Sequence, residues 1–257
     1  MNEHPVATSL RAAPSPRVIP FLVGGAPSPA AFEAALLALA DAGAPVIEIG
    51  IPFSDPIADG PVIAQAMHEV LGQGSTARGV LAHVRSIRPR CPARLVAMVS
   101  ASILARLDPT DPALPFSQAG FDGLIVPDLD PAEASTVAAS AGALGLAFIP
   151  LVAPTTEPSR AASLAGLATG FAYAIARRGI TGGTGPSGLD VATISSSVSR
   201  LRDATAAPVA IGFGLSTAED VAIANDVADA AIVGTPFVKV AGSGGDVVAL
   251  YRSLRQR

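Results

Sequence analysis

Residues 46–61 read VIEIGIPFSDPIADGP, a short apolar run followed by a loop that carries two more carboxylates. Because side chains alternate between the two faces of a strand, Glu48 shares one face with Val46 and Gly50, and three isoleucines form the other. An all-isoleucine face is typical of packing against helices. The pattern therefore predicts that Glu48 points to the opposite side, into the interior of the fold.

The same kind of unit repeats along the chain, where short apolar runs alternate with Ala/Leu-rich stretches, as in βα units around a buried parallel sheet. The eight predicted strands cover residues 18–23, 46–51, 94–99, 123–126, 147–152, 171–175, 209–211 and 230–233. The eight predicted helices cover residues 29–42, 76–88, 112–119, 131–144, 157–168, 191–204, 218–227 and 246–256. The segments SPAAFE, DPAEAS and STAEDV place Ser, Asp or Thr where an N-cap is expected.

Eight strands and eight helices in about 240 residues predict a single (β/α)8 TIM barrel, an α/β fold for which about 250 residues is typical. The alternative is a doubly wound open sheet, but no G-x-G-x-x-G motif follows the first predicted strand. No linker or shift in composition divides the chain. We therefore predict a flexible N-terminal leader at residues 1–17 and one barrel domain at residues 18–257.

The composition narrows the classes of function. The net charge is -4 and no Lys/Arg run stands out, so nothing favours nucleic acid or a membrane surface as a partner. The most apolar stretches of the chain are interrupted by acidic residues, Gly or Pro. The first seventeen residues lack the continuous apolar core of a secretory signal. Together these features predict a cytoplasmic protein. Cys91 is the only cysteine and the three histidines are scattered, which excludes an intrachain disulfide and a thiolate metal cluster.

The carboxylates of the opening segment are candidates for acid–base chemistry. In a TIM barrel the active site lies at the carboxyl ends of the strands, which is where Glu48 and the loop with Asp55 and Asp59 fall. Burial disfavours the ionised form, so the pKa of Glu48 is expected to rise from about 4.3 toward neutrality. The alternatives are a structural ion pair for Glu48 and turn or cap chemistry for Asp59 and, more strongly, Asp55.

Two glycine-containing segments follow the last two predicted strands, GFGLSTAED at residues 212–220 and GTPFVKV at residues 234–240. In barrels the corresponding loops often bind phosphate through backbone amides at a helix start. Gly212, Gly214, Gly234 and Thr235 are the candidates. The glycine-rich segment at 176–188 is a candidate lid, with a long surface connection as the alternative.

Together these segments resemble a known family. PFLVGGAP, EIGIPFSDPIADGP, GFAYAIARRGITG, IGFGLSTAEDV and AIVGTPFVKV, in this order and spacing, resemble the tryptophan synthase alpha chain family from about residue 18 onward. The resemblance implies a barrel lyase that cleaves indole-3-glycerol phosphate to indole and glyceraldehyde 3-phosphate. It implies a retro-aldol reaction that needs neither a metal nor an organic cofactor.

The resemblance also implies roles for individual residues. Glu48 matches the catalytic glutamate, which shuttles the proton, and Asp59 matches the aspartate that stabilises positive charge on the indole N–H. Tyr173 matches a tyrosine near the glutamate, and Thr181 matches a lid threonine that helps to hold the aspartate. The positions that match the phosphate site are Gly182, Gly214, Gly234 and Thr235. The positions that match the indole pocket are Phe21 and Phe213, which sandwich the ring, with Ile125 and Ala97 shaping the rest.

The chain departs from the family pattern mainly where a beta chain would dock. The Tyr-x-Asn expected after the third strand is absent from residues 97–109, and Asp130 stands where the family has a proline. The amphipathic helix that usually precedes the first strand is expected to be weak or missing. These departures suggest a lyase that works alone or with an unusual partner. The missing tyrosine and asparagine also leave open a substituted indole substrate or a damaged active site. The competing hypotheses are a non-catalytic alpha-like regulatory subunit and another phosphate-binding barrel enzyme.

Overall fold

A computed structural model describes residues 3–56, 60–176, 189 and 191–256, and nine parallel strands form one sheet within them. The order of the strands in the sheet is β5-β4-β3-β2-β1-β9-β8-β7-β6. The strands are β1 (Val18–Val23), β2 (Val46–Gly50), β3 (Arg94–Met98), β4 (Gly123–Ile125), β5 (Ala147–Phe148), β6 (Leu151–Val152), β7 (Ala172–Ile175), β8 (Val209–Gly212) and β9 (Ala230–Val233). The predicted (β/α)8 barrel is confirmed.

The two ends of this strand order, β5 and β6, are consecutive in the chain and together correspond to the single predicted strand 147–152. The N–H of Ile149 donates to the carbonyl of Leu124 on the β4 side (2.9 Å), and the N–H of Tyr173 donates to the carbonyl of Pro150 on the β7 side (2.9 Å). Pro150 has no N–H of its own, so the ladder is interrupted there. The two half-strands thus face different neighbours and close the ring.

Twelve α-helices surround the strands in the described part of the chain. They are α1 (Pro5–Ala12), α2 (Pro29–Asp41), α3 (Pro61–Gly72), α4 (Ala77–Ile87), α5 (Ala101–Leu107), α6 (Leu114–Ala119), α7 (Pro131–Ala143), α8 (Pro158–Gly166), α9 (Val191–Ala204), α10 (Ala218–Val227), α11 (Thr235–Gly242) and α12 (Val247–Leu254). The side chains of Ser28, Asp130 and Thr217 each accept a backbone N–H at the start of a helix, which confirms the predicted caps. Four of the helices, α1, α3, α5 and α11, were not predicted.

Buried side chains fall into an inner and an outer cluster. Ile47, Ile49 and Ile51 belong to the outer cluster, between strands and helices, while Val46 of the same segment belongs to the inner one. The alternation predicted for this strand, with Glu48 toward the barrel interior, is therefore confirmed. The same alternation corrects the expectation for Ala97, which lies in the outer cluster, whereas Met98 lies in the inner one.

Helix α1 lies at the amino-terminal end of the barrel. Its Val6 and Leu10 are fully buried in the inner cluster, and its Ser9 hydroxyl accepts a bond from Arg94 at the start of β3 (3.3 Å). The ring of His4 caps the helix by accepting the N–H of Val6. The expectations of a flexible leader and of a weak or missing first helix therefore do not describe residues 5–12.

In the described part of the chain, every helix is too short or too polar to span a bilayer.

Candidate active site

A cavity of about 280 Å³ lies at the carboxyl ends of the strands on the β1, β2, β8 and β9 side of the barrel. Its lining is formed by Phe21, Glu48, Gly60, Ile63, Met98, Tyr173, Phe213, Gly214, Leu215, Ile232, Gly234 and Thr235. Seven residues predicted from the sequence are thereby brought together: Phe21, Glu48, Tyr173, Phe213, Gly214, Gly234 and Thr235. Ile125 lies nearby in the inner cluster, fully buried, but outside this lining. Asp59, Thr181 and Gly182 lie outside the described residues.

Glu48 is the acidic side chain of this lining, and only 1% of the residue is exposed. It sits beside Phe21 of β1 and Val96 of β3 in the register of the sheet. Apart from Glu48 itself, Thr235 and the Tyr173 hydroxyl, the side chains of the lining are apolar or the residue is glycine. An acid–base catalyst must lie within reach of the proton that it transfers, and a carboxyl group that lines a cavity is placed to reach a bound substrate.

Tyr173 and Phe213 form an aromatic wall beside this carboxylate, with ring centroids 5.5 Å apart and planes inclined by 43°. The tyrosine ring lies directly over Gly212, where any Cβ would collide with it. Gly212 was expected to let a phosphate approach the backbone. In the structure its missing side chain makes room for Tyr173 instead, and Gly212 does not line the cavity.

The ring of Phe21 is held by a similar close approach. A Cβ on Gly50 would come within 2.9 Å of Cε2 of Phe21 and 3.0 Å of Cε of Met67. Gly50 therefore leaves space on the interior face of β2 for the ring of Phe21, the register partner of Glu48 on β1. An alanine at this position would force Phe21 out of place.

The loop after β8 presents its backbone to the cavity in an unusual conformation. Phe213 has φ 68° and Gly214 has φ 90°, and Phe213 is the one residue other than glycine with positive φ among those described. For a bulky residue this conformation is strained and is maintained by its surroundings. Consecutive residues of this kind can turn their amides toward one side and form a site for an anion.

A second source of amides is the start of α11, which directly follows β9, the strand next to β8. Gly234 occupies the N-cap position without a side-chain cap, and Thr235 is the first helical residue. The N–H groups of a first helical turn have no partner within the helix, and the helix dipole favours negative charge there. Together with the Thr235 hydroxyl, this end of the cavity has the chemistry of a phosphate site.

Asp220 is a fully buried residue behind the β8 loop that sequence reasoning missed. Its Oδ2 accepts the N–H groups of Ser216 (2.8 Å) and Thr217 (3.0 Å) and the Ser216 hydroxyl (3.2 Å). Thr217 completes a capping box by accepting the N–H of Asp220 (3.1 Å). Asp220 thus fixes the loop two residues after Gly214. The Thr-x-x-Asp spacing is the signal that would have found it.

Comparisons with known proteins give a consistent result. The family model described as "Tryptophan synthase alpha chain" matches residues 8–248. A tryptophan synthase alpha chain of Halorhodospira halophila is 38% identical over 246 residues, which is 95% of this chain and 89% of that protein. The relative from Geobacter sulfurreducens is 36% identical over 245 residues, covering 93% of this chain and 92% of its own.

Solved structures agree with the sequence relatives. Tryptophan synthase from M. tuberculosis, in an aminoacrylate- and BRD0059-bound form, superimposes with a TM-score of 0.85 at 32% identity and covers 98% of this chain and 95% of its own. The tryptophan synthase A-subunit of Pyrococcus furiosus gives a TM-score of 0.80 at 29% identity, with 93% of this chain and 96% of that chain covered.

Proposed function

This chain belongs to the tryptophan synthase alpha chain family, and on that premise we propose that the cavity around Glu48 is its active site. The chain is a carbon–carbon lyase of tryptophan biosynthesis that cleaves indole-3-glycerol phosphate to indole and glyceraldehyde 3-phosphate. The observation that carries the assignment of the site is a buried carboxylate and a set of backbone amides in one cavity.

The reaction breaks the bond between indole C3 and the adjoining glycerol carbon. C3 gains a proton, which leaves a positive charge on the indole nitrogen. The hydroxyl on the adjoining carbon then loses its proton, the carbon–carbon bond breaks, and the electron pair neutralises the ring as the aldehyde forms. Glu48 is the group that gives and takes these protons, because it is the acidic side chain among the described residues that line the cavity. Asp59 stabilises the charge on the indole N–H, with Tyr173 beside Glu48.

The two ends of the cavity are proposed to bind different parts of the substrate, the phosphate and the indole ring. The phosphate is held by Gly214, Gly234 and Thr235, where amides and a hydroxyl are available at the start of α11. The indole ring lies between Phe21 and Phe213. By the resemblance to the family, Gly182 is proposed to contribute to phosphate binding, Thr181 to help hold Asp59, and Ile125, which is buried in the inner cluster, to shape the indole pocket.

The partner of this chain is a tryptophan synthase beta chain, as for other alpha subunits of the family. Its docking surface includes the loops after β3 and β4, which are tied together by a bond from the N–H of Ala101 to Oδ1 of Asp128 (2.8 Å). The departures from the family pattern lie in these loops and are expected to alter the affinity for the beta chain. A single buried cysteine fits a cytoplasmic location, where thiols remain reduced.

The experiment is a steady-state assay of indole released from indole-3-glycerol phosphate, with the purified chain alone and with an equimolar beta chain. Release in either mixture, lost in Glu48→Gln and Asp59→Asn, supports the site. The proposal is contradicted if the natural chain is folded and releases no indole in either mixture. Release that persists in Glu48→Gln contradicts the role of Glu48 and leaves the activity in place.

A further inference from the structure

A turn of five residues, 213–217, joins β8 to α10 and is called the β8 turn below. It contains Gly214, which lines the cavity and whose amide is proposed to bind the phosphate. Asp220 lies behind the β8 turn, fully buried and outside the lining of the cavity. Any effect of Asp220 on the substrate must therefore pass through this turn.

The conformation of the β8 turn needs support from outside it. Phe213 has φ 68° and Gly214 has φ 90°, and a bulky residue adopts such a conformation only when its surroundings impose it. At the β8 end, the carbonyl of Gly212 accepts the N–H of Ala176 (2.7 Å). The ring of Tyr173 packs against that of Phe213. These contacts hold the beginning of the turn and its aromatic ring.

At the α10 end the support comes from Asp220. Its Oδ2 accepts the N–H groups of Ser216 (2.8 Å) and Thr217 (3.0 Å). The side chain of Leu215 is buried, but apolar packing is not directional and does not by itself fix how a peptide group is turned. Two amides bound to one carboxylate oxygen do fix it, and the nearer of them is two residues from Gly214. The orientation of the Gly214 peptide therefore depends on Asp220.

The negative charge of Asp220 is compensated locally. The carboxylate belongs to the first turn of α10, where the helix dipole favours negative charge, and its Oδ2 also accepts the Ser216 hydroxyl (3.2 Å). Helix α11, in contrast, begins at Gly234 without a side-chain cap. Of the two helices that begin after β8 and β9, the first thus binds a carboxylate of the protein and the second has its amides available for a ligand.

We propose that Asp220 is a positioning residue for the phosphate of the substrate. By binding the amides of Ser216 and Thr217, it keeps Gly214 in the orientation in which its amide meets the phosphate. The inference rests on the proposed function and adds a residue that touches neither the substrate nor the reacting atoms. The ring of Phe213 is held separately by Tyr173, so Asp220 governs the phosphate end of the cavity and not the indole end.

Three variants of the full chain test this inference. Asp220→Ala removes the acceptor, and Asp220→Asn retains one acceptor oxygen. Asp229→Ala is the matched control, because Asp229 precedes β9 at the opposite end of the same two strands and accepts the N–H of Val209 (2.8 Å). It removes a carboxylate that binds a backbone amide and leaves the β8 turn intact. Unfolding in urea identifies the conditions in which each variant is folded.

The first measurement is the affinity for glycerol 3-phosphate and, separately, for indole, by calorimetry, which requires no catalysis. Asp220→Ala is expected to bind glycerol 3-phosphate about tenfold more weakly, the factor that one hydrogen bond to a charged group gives, and to bind indole as the natural chain does. Asp220→Asn shows a smaller loss, and Asp229→Ala binds both ligands normally. The second measurement is steady-state cleavage, in which Asp220→Ala raises KM and leaves kcat nearly unchanged.

The proposal is overturned if folded Asp220→Ala binds glycerol 3-phosphate as well as the natural chain does, if it loses affinity for both ligands alike, or if Asp229→Ala loses as much. If Asp220→Ala does not fold, Asp220→Asn carries the same test, and unchanged binding of glycerol 3-phosphate overturns the proposal. A natural chain that binds indole but not glycerol 3-phosphate contradicts the proposed phosphate site as well. Normal binding by the natural chain and by both Asp220 variants removes the role of Asp220 and leaves that site in place.

Discussion

The two ends of this barrel are built differently, although the same strands run through both. At the amino-terminal end, Asp122 pairs with Arg94 (3.0 Å) and Arg88 (3.3 Å), and α1 fills the opening. At the carboxyl-terminal end there are two adjoining cavities, a strained Phe213 and a carboxylate among apolar side chains. The ion pairs lie at the amino-terminal end, where they stabilise the fold, whereas the cavities and the strained residue lie at the end where substrate binds.

Asp122 and Asp229 show how regular the amino-terminal end is. Each aspartate immediately precedes a strand and accepts the N–H of a neighbouring strand, from Leu95 (2.9 Å) and Val209 (2.8 Å) respectively. The carboxylates at this end therefore complete the sheet. Glu48 lies instead within its strand and lines the cavity. The position of a carboxylate in the barrel therefore distinguishes the two structural aspartates from the catalytic glutamate.

The largest effect is expected for Glu48→Gln. Removing the acid–base group lowers kcat by about a thousandfold, within the range of general acid–base catalysis. The free energy of unfolding, measured in urea, stays within about 1 kcal/mol because the amide has the same shape and no charge to bury. A variant that loses stability and retains its rate would place Glu48 with the structural acids.

The opposite result is expected for Asp122→Ala at the other end of the barrel. The variant loses charge-assisted bonds to Arg88, Arg94 and the N–H of Leu95, so the free energy of unfolding falls by about 2–3 kcal/mol. Cleavage of indole-3-glycerol phosphate, measured well below the unfolding midpoint, keeps its kcat/KM. A large loss of kcat/KM in folded protein would show that the two ends are coupled.

A smaller effect on binding is expected for Thr235→Ala. The lost hydroxyl is proposed to contact the phosphate, and a bond to a charged group of about 1.4 kcal/mol corresponds to a tenfold rise in KM. Thr235→Ser retains the hydroxyl and is the control, with KM near that of the natural chain. A fall in kcat at constant KM would mean that Thr235 acts on the chemical step.

The smallest effect concerns Glu33 in the outer helix layer. The hydrogen bond from His83, and then that from Arg90, hold the pKa of Glu33 below its usual value of 4.5. A lowered pKa contributes stability above pH 4.5, and this stability is lost as the pH falls through the pKa of the folded state. Glu33→Gln should therefore lower the urea midpoint slightly at neutral pH and cease to differ from the natural chain in acid. A difference that persists in acid would contradict this.

The sequence predicted the parts of the site that follow from local alternation and from glycine motifs. The alternation of side chains in residues 46–51 is enough to predict that Glu48 points into the barrel, because the three isoleucines form the face that packs against the helices. In residues 94–98 both faces of the strand carry apolar side chains, so alternation does not choose between Ala97 and Met98, and Ala97 was expected from the resemblance. The structure turns Met98 inward and Ala97 outward.

Other features depend on contacts between distant residues. The absence of a side chain at Gly212 makes room for the ring of Tyr173, which lies on another strand. That contact is not visible in the sequence, where the glycine suggested a phosphate site instead. Helix α1 has only eight residues, and its Val6 and Leu10 are held by the barrel interior rather than by a long apolar pattern. The interrupted strand at residues 147–152 follows from Pro150, whose effect on pairing needed the positions of both neighbouring strands.

The most direct test of the central claim is a crystal structure of the Glu48→Gln variant with uncleaved indole-3-glycerol phosphate. The account predicts the phosphate against the amides of Gly214 and Gly234, the indole ring beside Phe21, and C3 within hydrogen-bond reach of the side-chain amide introduced at position 48. A phosphate bound elsewhere, or an indole C3 turned away from β2, would contradict the assignment of this end of the barrel to catalysis.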